Sequence, residues 1–379
     1  MQKEKIYWEE IGVCAEVSSF VPAGGVGEFH VILHVEARGE LFEQQLRRIY
    51  AGEERLLNTA LLRDAHPVFK RYFLNDATNQ VPLMKQEDTC ALSFIQQPLL
   101  DGSKLAVWIY LQRGTTVSKE DDMLVARHNG YTHLWKMGMH EQEGDSARQT
   151  ERLLQGYEDS LSRYGATLAE NCIRTWFFVR DVDTHYAGLV KARKENFIRE
   201  GLTEKTHYIA STGIGGAPAD TKSLVQLGTY ALMGFDRRQQ HYLYAPTHLN
   251  PTYEYGVTFE RGTRLDFGDR SHAIISGTAS IDNRGQVVHV GDVRKQTERM
   301  WENVEALLKE ADMTYEDVMQ IVVYLRDLAD YDIVQTLFKQ RFDDIPTVIT
   351  LAPVCRPQWL VEMECWAVAG RSNPPYRDF

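Results

Sequence analysis

The sequence predicts an α+β protein written as three tandem copies of one unit, and three observations predict it. The run Gln149-Thr150-Glu151-Arg152 returns unchanged at Gln296-Thr297-Glu298-Arg299. From the helix arginine to a second, strand-ending arginine the step is 28 residues in one copy (Arg152 to Arg180) and 27 in the other (Arg299 to Arg326). The strand ends themselves match, Val179-Arg180-Asp181 against Leu325-Arg326-Asp327. Internal similarity of this kind marks a duplicated structural unit and has to be read before single motifs are weighed.

The first copy is the faintest. Gln44-Gln45-Leu46-Arg47 opens a helix, Phe73-Leu74-Asn75-Asp76 ends a strand 28 residues beyond Arg47, and Lys104 to Leu111 closes the unit as another strand. Cys90 lies only fourteen positions beyond Asp76, so this copy's second helix is expected to be lost or reduced. Ahead of that helix, Ala23 to Gly27 reads as a turn and Phe29 to Val35 as a strand. On a strand His30 and His34 stand about 13 Å apart, too far to share a metal ion, and no metal site is expected. In the second copy Leu153, Tyr157, Leu161 and Tyr164 trace one face of a helix. A strand from Ile173 to Val179 follows, then a helix carrying Tyr186, Leu189, Val190 and Phe197, then a closing strand from Ser223 to Leu232. The third copy repeats the order: a helix with Met300, Val304, Leu307, Leu308 and Ala311 on one face, the strand Val318 to Leu325, a helix with Ile333, Val334, Leu337 and Phe338, and the strand Leu360 to Val368. The expected units are residues 1–122, 123–240 and 241–379, joined at the charged stretch 117–122 and the polar run 236–241, each with helices on one face of a mainly antiparallel sheet.

Composition narrows the function classes. Forty-two Lys and Arg against 53 Asp and Glu leave a formal charge of −11, the wrong sign for attraction to a phosphate backbone, so no nucleic-acid partner is expected. The five cysteines are scattered and form no C-x-x-C pair, which suits a reducing compartment. The N-terminal residues have no apolar core, and no window approaches the ~18 apolar residues of a membrane span. The expectation is a soluble cytoplasmic protein without a membrane partner.

From Ile274-Ile275-Ser276-Gly277-Thr278-Ala279-Ser280-Ile281 through the Gln-Thr-Glu-Arg helix to Val361-Glu362-Met363-Glu364, the third unit resembles the RidA/YjgF (endoribonuclease L-PSP-like) family. The resemblance extends across the second unit and weakly over the first. Members of that family assemble as trimers with clefts between subunits, so three units in one chain imply a fused trimer, a monomeric pseudo-trimer; a tandem array forming ordinary homo-oligomers is the alternative. Tyr255 to Arg261, Ser276 to Ile281, Gly291-Asp292-Val293 and Val354 to Glu362 are similar to the C-terminal half of the chorismatases, RidA-fold hydrolases of chorismate. Arg174-Thr175-Trp176 and Ala210 to Gly216 are similar to their preceding domain.

This resemblance implies a hydrolase or lyase, without a cofactor, acting on chorismate or a similar small enolpyruvyl or cyclic carboxylate. The alternatives are a non-catalytic metabolite-binding protein and a RidA-type imine or enamine deaminase or hydrolase with an altered substrate. Cleaving an enol ether requires protonation of its methylene carbon. The resemblance gives that role to Glu362, which on a strand shares a face with Leu360, Glu364 and Trp366 and is expected to hold its proton in that apolar company. Arg356, Arg261 and Arg174 are the expected carboxylate anchors, since planar guanidiniums suit a dicarboxylate. Cys355 is expected to line the pocket. Two glycine-containing turns, with Ser276, Gly277 and Thr278 in one and Ser211, Thr212 and Gly213 in the other, are expected to offer N–H and hydroxyl groups to the substrate. The arginine that anchors carboxylates in RidA deaminases falls at Val348, with Asp88 and Ser211 in the other copies. The acid position reads Val107, Gln226 and Glu362, so one working cleft is expected. The loop after Ile281 reads Asp282-Asn283-Arg284-Gly285-Gln286 in place of the Val-Gly-His usual among chorismatases.

Overall fold

The computed structural model describes residues 1–86 and 89–379. Three six-stranded sheets follow one another along the chain. The first is built from β1 (Gln2–Trp8), β2 (Val13–Phe20), β3 (Gly27–Val35), β4 (Ala65–Leu74), β5 (Ala91–Gln96) and β6 (Leu105–Arg113), in the order β1-β2-β3-β6-β4-β5. Helix α1 (Phe42–Leu57) covers it, and among the described residues the single turn α2 (Ala77–Gln80), continued by a 3-10 turn at Val81–Leu83, stands where the other units carry a full second helix.

The second sheet contains β7 (Thr116–Glu120), β8 (Met123–His128), β9 (Tyr131–His140), β10 (Cys172–Val179), β11 (Ala210–Gly215) and β12 (Val225–Met233), with α3 (Ser146–Ser162), the turn α4 (Leu168–Asn171) and α5 (Val182–Arg199). The third contains β13 (Gln240–Leu243), β14 (Gly262–Asp266), β15 (Arg270–Ala279), β16 (Val318–Leu325), β17 (Thr347–Leu351) and β18 (Val361–Gly370), with α6 (Val293–Glu310) and α7 (Tyr331–Arg341). In each sheet one pair is parallel, β4 with β5, β10 with β11 and β16 with β17. The first joint moves: β7 pairs with β8 inside the second sheet, so residues 117–122 belong to an edge hairpin and the sheets part between Arg113 and Thr116.

The repeated glutamine has a structural reason. Gln149 and Gln296, in the first turns of α3 and α6, accept the N–H of Leu224 (2.7 Å) and Leu360 (2.9 Å), where the closing strand of each unit begins. In α1 the same bond is made by Gln45 to the N–H of Lys104 (2.8 Å), so the first copy is registered one residue later than Gln44. A buried amide that satisfies a strand-end N–H fixes helix to sheet in each unit.

The units close into a ring. β5 packs on β9 and β11 on β15, while at the third seam β16 packs on β3, so each unit meets the next and the third returns to the first. Isolated bridges Gln96 to Ala217, Ile214 to Val354 and Leu99 to Thr350 tie the three seams. The sheets' inner faces meet in an aromatic core in which Trp135 stacks on Tyr230 (4.2 Å between centroids) and on Phe69 (5.2 Å), and Tyr110 on Trp366 (5.7 Å). Among the described residues no helix is long and apolar enough to cross a membrane.

Candidate functional site

β18 carries the candidate acid because its alternation places Glu362, Glu364 and Trp366 on the inner face. The register of the closing strands fixes the counterparts: Glu362 lies opposite Tyr324, Gln226 opposite Phe178, and Ala106 opposite Phe73, each one residue before its unit's strand end. The first copy's counterpart is therefore Ala106, not Val107. A slip of one residue turns a side chain to the other face, and Val107 packs with Leu46 and Ile49 beneath α1. Only the third unit has an acid here.

A cavity of about 200 Å³ lies at the seam of the second and third units, with Glu362 in its wall. Glu362 is 5% exposed, and a Cβ on Gly277 would collide with its carboxyl oxygen, so the glycine lets the carboxyl lie directly against this strand. Burial and the neighbouring charge of Glu364 push the Glu362 carboxyl up to about 8, against the pull of Arg261 and Arg174. It is a protonated acid at neutral pH.

Arg261, Arg356, Cys355, Ser211, Gly213 and Gly277 line the same cavity. Arg356 lies between two rings, its guanidinium carbon 4.6 Å from the centroid of Tyr255 and 4.9 Å from that of Trp359. Arg261 is held by the carbonyl (2.9 Å) and side chain (3.2 Å) of Asn250. Burial and the charge of Glu362 raise the Cys355 thiol to about 12, so it stays neutral.

Arg174, Thr212, Ser276 and Thr278 stand behind the wall. Arg174 donates to Glu364 (2.7 Å), Thr212 (2.5 Å) and Ser276 (3.3 Å). Thr278 donates to the Ser276 carbonyl (2.9 Å). The two expected turns are strand: Ser211 to Gly213 lie in β11, and Ser276 to Thr278 in β15, where the pairing with β18 shifts between Ile275 and Thr278. Gly213 lets the Tyr186 ring approach closely, since a Cβ there would stand 3.1 Å from it. Opposite Val322, Trp176 and Arg71 the parallel strands place Val348, Thr212 and Ser93. The counterparts of Val348 are thus Thr212 and Ser93, none of them arginine. Asp88 lies outside the described residues.

Arg193 was missed. It lines the cavity from α5, is 1% exposed, bonds Thr258 (3.3 Å) and Ser211 (3.5 Å), and leaves its Nη2 without a partner. Its signal is an arginine seven residues after Tyr186 and four before Phe197, on the buried face of an amphipathic helix. Among the described residues, Arg193, Arg261 and Arg356 form no ion pair with a carboxylate, whereas Arg174 is neutralised by Glu364.

The third seam has a counterpart cavity of about 320 Å³. There His34, opposite Ala106 as Ala279 is opposite Glu362, stands 3.6 Å from Glu16, and Lys5 pairs with the same carboxylate at 3.1 Å. Glu16 there is ion-paired with both His34 and Lys5, and the position matching Glu362 is the apolar Ala106. Among the described residues no group of His, Cys, Asp or Glu is placed to hold a metal ion.

These features define a class: a single-chain ring of three α+β units with a buried acid and three guanidiniums around one cavity at a seam. The endoribonuclease L-PSP family profile matches residues 268–369. A RutC family protein of Pyrococcus abyssi is 32% identical over 95 residues, 24% of this chain and 75% of that protein. The 3-aminoacrylate deaminase RutC of Acinetobacter baylyi is 33% identical over 70 residues, 18% of this chain and 56% of its own length. A crystal structure of a chorismatase superposes with a TM-score of 0.66 at 20% identity, covering 82% of this chain and 95% of that one, which establishes the shared three-unit fold. The chain belongs to the RidA family, also called RutC or L-PSP.

Proposed function

We propose that this protein is a hydrolase or lyase acting on chorismate or a similar small enolpyruvyl or cyclic carboxylate. One observation carries the reading: a neutral buried acid, Glu362, shares a small cavity with three guanidiniums that have no carboxylate ion-pair partner among the described residues. Two of them, Arg193 and Arg261, are buried, and buried cations without counter-ions are costly unless a ligand supplies the charge. Tyr255, Phe259 and Trp359 add flat apolar surface suited to a ring. A RidA-type deaminase reading is less well supported, because Val348, Thr212 and Ser93 stand where that chemistry needs an arginine.

In the proposed reaction Glu362 delivers its proton to the methylene carbon of the enol ether, and the double-bond electrons form the new C–H bond. Water adds to the resulting oxocarbenium carbon. The hemiketal collapses with cleavage of the ether C–O bond, giving pyruvate and the ring alcohol, and the proton lost by the water restores Glu362. One water is consumed and nothing is oxidised. The test is incubation with chorismate, with pyruvate read by coupled reduction with lactate dehydrogenase. Release of pyruvate is expected; binding of chorismate without release would make this a metabolite-binding protein.

The arginines act on ground state and transition state alike. Arg356→Ala and Arg193→Ala are therefore each expected to raise KM by about tenfold or more while leaving kcat within about threefold. A fall in kcat at unchanged KM would remove both from carboxylate binding.

A further inference from the structure

The first unit has no acid at its own closing strand, yet one of its side chains reaches the centre behind the candidate site. Glu364 follows Glu362 on the same face of β18, about 6.6 Å further along. Its carboxylate receives Arg174 (2.7 Å), Thr212 (2.5 Å) and Trp176 (3.0 Å) from the second unit and Arg71 (3.2 Å) from β4 of the first. Arg71 is fully buried, with its guanidinium over Trp108, Trp176 and Phe178. Thr212 also accepts the N–H of Gly277 (2.9 Å), the residue on which the Glu362 carboxyl rests. All three units thus meet at one carboxylate beside the acid.

Resting on the enol-ether reading above, we propose that Glu364 is the positioning residue that keeps Glu362 a neutral acid, and that Arg71 brings the first unit into the working cleft by holding Glu364. The alternative, a merely structural ion cluster, would leave the titration of Glu362 unmoved. Burial opposes ionisation of Glu364, but Arg174, Arg71 and the bonds from Thr212 and Trp176 overrule it and hold the carboxyl below its usual range. Around Glu362 the cations Arg261 and Arg174 favour its charged form, with Arg193 and Arg356 lining the same cavity, and burial and the negative charge of Glu364 act against them. The remaining titratable neighbours, Tyr255, Tyr324, Tyr186 and Cys355, are raised by burial and stay neutral.

The test is the pH at which Glu362 titrates, read in two ways: the alkaline limb of kcat for pyruvate release, and the infrared carbonyl band of a protonated carboxylic acid, assigned by its loss in Glu362→Gln. Glu364→Gln is expected to move both to lower pH by about two units, since a charge at this range shifts a carboxyl by roughly 1–3 units. Arg71→Met is expected to move them to higher pH, because it leaves Glu364 less neutralised. Glu364→Gln with Arg71→Met removes one charge of each sign, keeps the buried net charge, and serves if the single variant does not fold. It is expected to titrate within about half a unit of Glu364→Gln alone, because Arg71 acts through Glu364. Unmoved titration in the Glu364 variants overturns the proposal, and additive shifts overturn the part given to Arg71. A wild type that releases no pyruvate defeats the substrate reading only, since the infrared titration still reads the coupling.

Discussion

Glu362→Gln is expected to lower pyruvate release from chorismate by about 10²–10⁴-fold, with affinity for the substrate nearly intact, and to make the protein more stable at neutral pH. The first effect follows from removing the proton donor while keeping its size and hydrogen bonding. The second follows from linkage. In the unfolded chain the carboxyl titrates near 4.5, and in the folded protein at about 8. Between these values the unfolded state sheds its proton and the folded state keeps it, so stability falls as pH rises through the window. By pH 7 the loss amounts to roughly 3 kcal/mol at about 1.4 kcal/mol per unit. Glutamine has no proton to lose and escapes the penalty. Urea denaturation at about pH 5 and about pH 7.5 should show the variant's advantage growing with pH. An equal difference at both values would mean that Glu362 is ionised in the folded protein; a variant keeping more than about a third of the wild-type rate would mean that the acid lies elsewhere.

The local signals in the sequence were strong where one element determines its own structure. Val318–Leu325 was bounded by its β-branched run, α3 and α6 by their apolar stripes, and the shortened α2 by simple lack of residues. Glu362 was legible because strand alternation and motif order name it together. What failed was register across copies. The first unit shares almost no residues with the others, so its sequence does not reveal the offset of one that separates Val107 from Ala106; pairing with β4 does. Ser211 to Gly213 were read as a turn because glycine signals turns, whereas here the glycine admits the ring of Tyr186. Arg174 was read as an anchor from its motif, but the sequence cannot show that Glu364 neutralises it across a seam. Arg193 was hidden for the opposite reason: nothing in a helix repeat says that one arginine lacks a counter-ion.

The largest loss of stability is expected away from the site, at the charge cluster where the first and third units meet. Glu28 of β3 and Arg270 of β15 are both fully buried and bonded at 2.6 Å, with Tyr110 (2.6 Å) and His272 (2.9 Å) on the same carboxylate. Burial alone would keep Glu28 neutral, but His272 and Arg270 hold it well below the usual carboxylate range, so it is ionised in the folded protein. Arg270→Met leaves that charge buried and short of its cation, which typically costs about 3–5 kcal/mol. The cost belongs to the charge, and its pH dependence follows. For a carboxyl depressed in the folded state, the stabilisation is present above the unfolded value near 4.5 and is lost as pH falls toward the folded one. Without Arg270 that stabilisation is missing, and Glu28 takes up a proton at higher pH, so the deficit of the variant should be large at about pH 7 and shrink toward pH 4. Adding Glu28→Gln removes the orphaned charge and should recover more than about half of the loss at pH 7. A deficit that is constant with pH, or a double variant no more stable than Arg270→Met, would assign the loss to packing of the arginine between Phe20 and Phe379.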